Sequence, residues 1–184
     1  MQQNIAHSIE CILKNLGEDT NREGLVKTPL RVEKSLQELT SGMHIDPKSV
    51  ALDALFDTCS SGVILQKGIE FFSLCEHHML PFFGNIHLAY IPNGKIIGLS
   101  KIGRIIDILS KRLQVQENLT HQIIQTLQEL LNPKGIAIYV EAQHFCMMMR
   151  GVKKQQSITV TTDFFGSYNC EAQLKDDFFA SIKN

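Results

Sequence analysis

The sequence has no run of 18 or more apolar residues, which excludes a hydrophobic membrane-spanning helix of ordinary length. Its start, Met1-Gln2-Gln3-Asn4, lacks the positive-then-apolar pattern of an export signal, so the chain is expected to be cytoplasmic. An excess of one charge is missing too. The formal net charge is −1 over 184 residues, which gives no basis for a nucleic-acid or membrane partner. Low-complexity stretches, internal repeats and linkers are absent, and the length suits one domain with a buried core, residues 1–184. Cysteine is sparse and odd in number, at five: Cys11, Cys59, Cys75, Cys146 and Cys170. Without an export signal these read as thiols and not as a disulfide framework. Cys11, Cys59 and Cys170 sit in no ligand-like context.

What is present is an ordinary globular composition, 43% hydrophobic and 20% charged, with clear changes of period along the chain. Ile5, Ile9, Ile12, Leu13 and Leu16 fall at helical spacing, and Gly17 is a stop. A second helix is expected from Thr28 as N-cap and Pro29 at the first helical position, running to about Thr40. Arg31 and Lys34 lie on its first turns, and spacing alone reads them as a solvated basic edge. A short helix is expected over 47–56. The pattern then turns to β: Val63–Gln66, Ile69–Phe72 and Asn85–Ile91, with Pro92-Asn93-Gly94-Lys95 as a turn. Ser100 is placed to cap an amphipathic helix with the stripe Ile102, Ile105, Ile106, Leu109 and Leu113. Lys101 and Arg104 near its N-terminus oppose the helix dipole, an arrangement that suits an anionic ligand but is a weak signal alone. Another long helix carries Leu119, Ile123, Leu127, Leu130 and Leu131, and ends at Asn132-Pro133. A strand over Ile136–Glu141 leads to His144 and Cys146, and Met147-Met148-Met149 reads as core packing. Ser157–Thr162 is a strand and Glu171–Ile182 a closing helix. This order of elements argues for an α+β protein with a largely antiparallel sheet.

The chemistry concentrates in two places. Phe72-Ser73-Leu74-Cys75-Glu76-His77-His78-Met79-Leu80-Pro81 holds a Cys and a His three positions apart, Cys75 and His78, at the end of one strand and just before the next. A thiolate and a neutral imidazole at that spacing can close on a soft divalent ion, most naturally Zn²⁺. Two ligands do not make a site. The second cluster, Glu141 to Arg150, offers His144 and Cys146. With Cys146 the ion would have three protein donors and an open fourth position, the pattern of a catalytic zinc. His77 and His144 are then proton carriers near neutral pH, or simply histidines packed beside the metal. Residue chemistry alone stops at a zinc site, with hydrolysis as one use.

Five segments, taken together, resemble GTP cyclohydrolase I: Arg22-Glu23-Gly24-Leu25 with Thr28–Val32, Cys75–Gly84, Ala89–Lys101, Arg112–Thr120 and His144–Gly151. The likeness runs from about residue 20 to 166 in the right order. It implies a tunnelling fold, a four-stranded antiparallel sheet with two helices on one side, over 61–184, preceded by a helical part over 1–60. It implies conversion of GTP to 7,8-dihydroneopterin triphosphate and formate, the entry to folate and tetrahydrobiopterin. Cys75, His78 and Cys146 match the family's zinc ligands, His77 its proton donor to the imidazole ring, and His144 the second histidine near C8. Ser100 matches the position near the ribose. Glu117, assisted by Gln116, matches the guanine-recognising carboxylate. Lys101, Arg104 and Arg150 would meet the triphosphate, with Arg31 and Lys34 reaching it from a neighbouring subunit. The family assembles as a decamer of two pentameric rings with active sites at subunit interfaces, so a homo-oligomer is expected. Two rival readings are a nitrile reductase of the same fold, built on one reactive Cys with NADPH, and a non-catalytic zinc-stabilised assembly protein.

Overall fold

The computed structural model describes residues 4–183. The chain divides into two compact units, Met1–Ser41 and Gly42–Asn184.

The first unit is a pair of packed helices, α1 (Ile5–Asn15) and α2 (Thr28–Leu39). The Asn4 side chain caps α1 by accepting from the His7 N–H at 2.9 Å. Gly17, at φ 86°, takes the left-handed conformation that ends the helix. The expected Thr28 cap is not used: Lys27 is the N-cap residue, and the Thr28 hydroxyl instead donates back to the Gly24 carbonyl at 3.3 Å. Pro29 sits in the first turn as its missing N–H allows.

The second unit begins with one 3₁₀ turn, Pro47–Val50, in place of the helix expected over 47–56. The Asp46 side chain caps that turn through the Lys48 N–H, and the chain then passes into β1 (Leu55–Asp57). Next come β2 (Ile64–Cys75), β3 (Pro81–Ile91), β4 (Lys95–Ile97), α3 (Leu99–Ser110), β5 (Leu113–Gln114) and α4 (Gln116–Leu131). The remainder is β6 (Gly135–His144), α5 (Phe145–Met148), β7 (Thr159–Gly166), α6 (Ser167–Cys170) and α7 (Ala172–Lys183). β1 and β4 form a small antiparallel pair. The main sheet has the order β5-β2-β3-β6-β7, antiparallel except for the two-residue parallel contact of β5 with β2. The run expected over Val63–Gln66, from Ile64 onward, and the run Ile69–Phe72 belong to one strand, β2, whose register shifts between Gln66 and Ile69 with Gly68 at φ 66°.

Alternation along the strands separates two faces. Ile86, Leu88 and Tyr90 of β3 and Ile136, Ile138 and Val140 of β6 point into the main core. Against them pack Ile102, Ile105, Ile106 and Leu109 of α3 and Leu119, Ile123 and Leu127 of α4. Each such fully buried aliphatic side chain contributes about 1.5–3 kcal/mol. Leu113 leaves the expected helical stripe because α3 ends at Ser110 and Leu113 pairs with β2 instead. The intervening residues Ala89, Ile91 and Ala137 face the other way, onto Tyr168 and Phe178. The closing helix α7 therefore covers one end of the sheet's opposite face. Gly84 lets β3 and β6 approach beneath the future site: a Cβ there would stand 1.8 Å from the Glu141 carbonyl oxygen. Among the described residues no helix is long and apolar enough to cross a membrane.

Candidate metal centre

Cys75 is the last residue of β2 and is buried. The chain turns sharply there. The Cys75 carbonyl accepts from the N–H groups of His78 at 3.3 Å and Met79 at 2.8 Å, and its own N–H donates to the Leu80 carbonyl at 2.9 Å. Met79 pays for the reversal with φ 53°, a conformation that side-chain-bearing residues seldom adopt. This turn folds His78 back over Cys75. Cys146 comes from two strands away: β2 pairs with β3 and β3 with β6, and α5, a single helical turn directly after β6, carries it. The donor atoms of Cys75, His78 and Cys146 all lie within 4.8 Å of one another. Two thiols and an imidazole at that separation fit one tetrahedral soft cation with a fourth position free. Burial pushes the Cys146 thiol up, and the adjoining Cys75 adds to this, while the Arg150 charge pulls it down. A divalent cation seated between the two sulfurs would displace their protons and hold them as thiolates.

Both flanking histidines are at hand. His77 Nδ1 lies 3.7 Å from the Cys75 sulfur, and its exposed ring is 3.8 Å from the Glu76 carboxylate. His144, last residue of β6, lies flat on Phe82, with ring centroids 4.7 Å apart and planes 4° from parallel. Burial lowers its pKa, opposed by the charge of Glu117. Its Nε2 is 2.8 Å from Oε1 of Gln116, the first residue of α4. Gln116 is 1% exposed, so its side chain faces inward beside Glu117, which is exposed on the next position. Phe82 and the threonines that hold Gln116 escaped the sequence reading. Strand alternation puts Phe82 on the face that His144 shares, and that was the available signal.

A second group gathers elsewhere. Ser100, Lys101 and Arg104 occupy the first turns of α3. Ser100 is not the cap; Gly98 holds that position, and no side chain caps the helix. Lys101 donates to Asp53 at 2.8 Å, and Arg104 also acts on that carboxylate. The opposite end of α3 is the one near Cys75, since Ser73 Oγ donates to the Ser110 carbonyl at 2.7 Å. At 1.5 Å per residue, the basic turn stands roughly 15 Å along α3 from Ser110, the residue that contacts the Cys75 strand. Arg150 follows α5 and is exposed. Met147 and Met148 are half-buried and Met149 is 62% exposed, so the methionine run is not core packing. Arg31 and Lys34 are exposed on α2 of the first unit and form no ion pair among the described residues.

Fold and centre together define an α+β protein with a three-donor Cys-His-Cys cluster that could hold a cation, flanked by histidines. Comparison with known proteins gives the class its family. The family model for GTP cyclohydrolase I matches residues 5–183. GTP cyclohydrolase 1 of Campylobacter curvus (strain 525.92) is 50% identical over 184 residues, covering 100% of this chain and 97% of that protein. GTP cyclohydrolase 1 of Bacteroides thetaiotaomicron is 55% identical over 173 residues, 94% of this chain and 88% of that protein. The chain belongs to the GTP cyclohydrolase I family. Among solved structures, the archaeosine synthase QueF-Like in the apo form has a TM-score of 0.47 and 15% identity, covering 59% of this chain and 97% of that one.

Proposed function

We propose that this protein opens the guanine imidazole ring of GTP by hydrolysis, releases formate and rearranges the remainder to 7,8-dihydroneopterin triphosphate. The observation that carries the reading is the convergence of Cys75, His78 and Cys146 within 4.8 Å, in a chain of this family. The metal is zinc, held by those three side chains. When bound there it supplies Lewis acidity and a nucleophilic water at neutral pH.

This chain's own residues do the rest. His77, exposed beside Cys75, protonates a nitrogen of the imidazole ring and so makes C8 open to attack. His144 moves the second proton near C8. Its ring is held in place by Phe82 and Gln116, so little reorientation is needed when the proton moves. Glu117 accepts from the guanine N1–H and amino group. Adenine presents an acceptor where guanine has that N1–H and is refused. Lys101, Arg104 and Arg150, with Arg31 and Lys34 contributed by a neighbouring subunit, meet the triphosphate, where Arg can pair bidentately. Ser100 stands by the ribose while it opens, undergoes an Amadori-type shift and closes onto the base.

The separation along α3 supports a homo-oligomer. Ser100 and Lys101 stand at the end of α3 away from the Cys75 strand of their own chain, which favours their being supplied by a second copy. Two features suit such an assembly. The edge strand β7 has no partner on its outer side among the described residues, and Phe72, Ile158 and Val160 are 61%, 56% and 46% exposed. The antiparallel set β2-β3-β6-β7 with α3 and α4 on one face supports the tunnelling fold, and ring assembly and action in the cytoplasm belong to the same proposal. The paired sulfurs with His78 speak against a lone nucleophilic cysteine and hence against the nitrile reductase alternative. The interface is tested by complementation. Lys101→Ala and Cys146→Ala proteins, each inactive alone, regain formate release when mixed subunits are co-assembled. Failure of folded mixed oligomers to regain any turnover contradicts the shared site.

A further inference from the structure

The buried amide of Gln116 is wired in one direction only. Its Nε2 lies 3.1 Å from the Val140 and Thr159 carbonyl oxygens and 3.1 Å from Thr161 Oγ1. Carbonyl oxygens only accept, so the NH₂ end must face them; the flipped amide would set oxygen against oxygen. The hydroxyls agree with this assignment. Thr120 Oγ1 donates to the Gln116 backbone carbonyl at 2.8 Å, and so takes its 2.7 Å contact with Thr161 as an acceptor. Thr161 has then given its hydrogen to Thr120 and accepts from Gln116. Each donor in the ring is committed.

With its nitrogen end fixed, Gln116 can only offer Oε1 to His144, 2.8 Å from Nε2. An amide oxygen accepts and cannot donate, so the imidazole hydrogen must sit on Nε2. The Phe82 ring holds the plane of the imidazole, and the Gln116 contact fixes its remaining rotation. Nδ1, by contrast, has no hydrogen-bond partner among the described residues. We infer that Gln116 is a positioning residue for His144, whose buried amide oxygen accepts from Nε2, fixes the imidazole in one orientation and leaves Nδ1 as the ring nitrogen without a protein partner among the described residues. The Gln116 side chain, at 1% exposure and with both ends of its amide engaged, has no free polar group to offer guanine. The inference rests on the proposed reaction for its catalytic meaning but not for its geometry.

Two measurements test it on the metal-loaded, full-length protein. In the first, imidazole ¹⁵N-labelled protein is read by long-range proton–nitrogen correlation, with the His144 signals assigned by their loss in His144→Asn. The expected result is a hydrogen-bearing Nε2 and a bare Nδ1; the opposite tautomer overturns the inference whether or not GTP is turned over. In the second, Gln116→Met, similar in length but without an acceptor, is assayed with GTP. General acid–base catalysis contributes about 10²–10⁴-fold, so a misplaced imidazole should lower kcat by about 30- to 100-fold, with KM for GTP within about twofold. In a His144→Asn background the same change should cost less than about twofold more, because its route of action is gone. A raised KM with unchanged kcat would make Gln116 a substrate contact and overturn the inference. An equal loss in both backgrounds would overturn it too, as a general packing effect. If wild type releases no formate while the tautomer is as described, the proposed reaction fails and the positioning stands. If Gln116→Met does not fold, the spectroscopic result decides alone.

Discussion

Lys101 Nζ lies 2.8 Å from Asp53 Oδ1, with the lysine side chain 16% exposed and the aspartate 81% exposed. The lysine is thus held at the start of α3 by a carboxylate that solvent still reaches. The lysine hydrogen bond, followed by its charge, keeps the Asp53 carboxyl below its ordinary range, so the pair is intact at neutral pH. If Lys101 serves the triphosphate, Asp53 both orients it and cancels part of its charge. Asp53→Asn should therefore lower KM for GTP by about two- to fivefold at low salt, the range expected of an exposed ion pair. The gain should fade as ionic strength rises and screening sets in. Steady-state kinetics at two salt concentrations check this; an unchanged KM at low salt would detach Lys101 from the phosphates.

Glu117 carries the choice of base in this account. Glu117→Gln keeps the shape but replaces a charged acceptor by an amide that also donates. Losing a hydrogen bond to a charged group should lower kcat/KM for GTP about 10- to 100-fold. Inosine triphosphate lacks the amino group, so its smaller kcat/KM should fall less. The measurement is the ratio of the two specificity constants, which should narrow in the variant. An unchanged ratio would place the guanine elsewhere.

Much of this site could be read from the chain, and the limits are physical. The turn from Cys75 to Pro81 was legible because a Cys and a His lay close in sequence between two β-rich runs. The stripes of α3 and α4 were legible because burial repeats every three to four residues. That Cys146 joins Cys75 depends on β6 lying beside β3, a long-range pairing that no local period encodes. β5 is two residues long and leaves no pattern to detect. Gln116 beside Glu117 looks like a pair of solvent-facing polar residues at a helix start. Only the packing of α4 over β6 and β7 shows that one is buried and the other is not. Ser100 had the chemistry of a cap, but the helix began two residues earlier, after Gly98.

Gly84 links the fold to the site. Gly84→Ala would drive a methyl group to 1.8 Å from the Glu141 carbonyl oxygen unless β3 and β6 part. Overpacking of this kind costs about 1–3 kcal/mol. Urea unfolding should show that loss. Because β6 carries His144 and leads to Cys146, metal affinity should fall with it. Unaltered stability and metal content would mean that the strands separate freely.

His87 gives a pH dependence away from the metal centre. It sits half-buried on β3 against the Tyr139 ring, 5.9 Å between centroids, with Nδ1 buried and unpartnered. Burial lowers its pKa, which the charge of Glu141 opposes and that of Lys67 reinforces. The unfolded chain takes up this proton near the ordinary histidine value, about 6.5, while the folded protein waits for lower pH. Stability is therefore fully present above that value and is lost as pH falls toward the depressed folded pKa. His87→Phe should flatten the decline as pH falls below about 6.5. Chemical denaturation of both proteins across that range checks it; equal slopes would assign the acid sensitivity to other groups.

The most direct test of the account is to incubate purified protein with GTP before and after complete chelation, and to assay formate and the fluorescent oxidised pterin. The account predicts both products, their loss with the metal, and their return on adding Zn²⁺. Neither product from folded, zinc-loaded protein, or full turnover from protein shown to be free of metal, would contradict it.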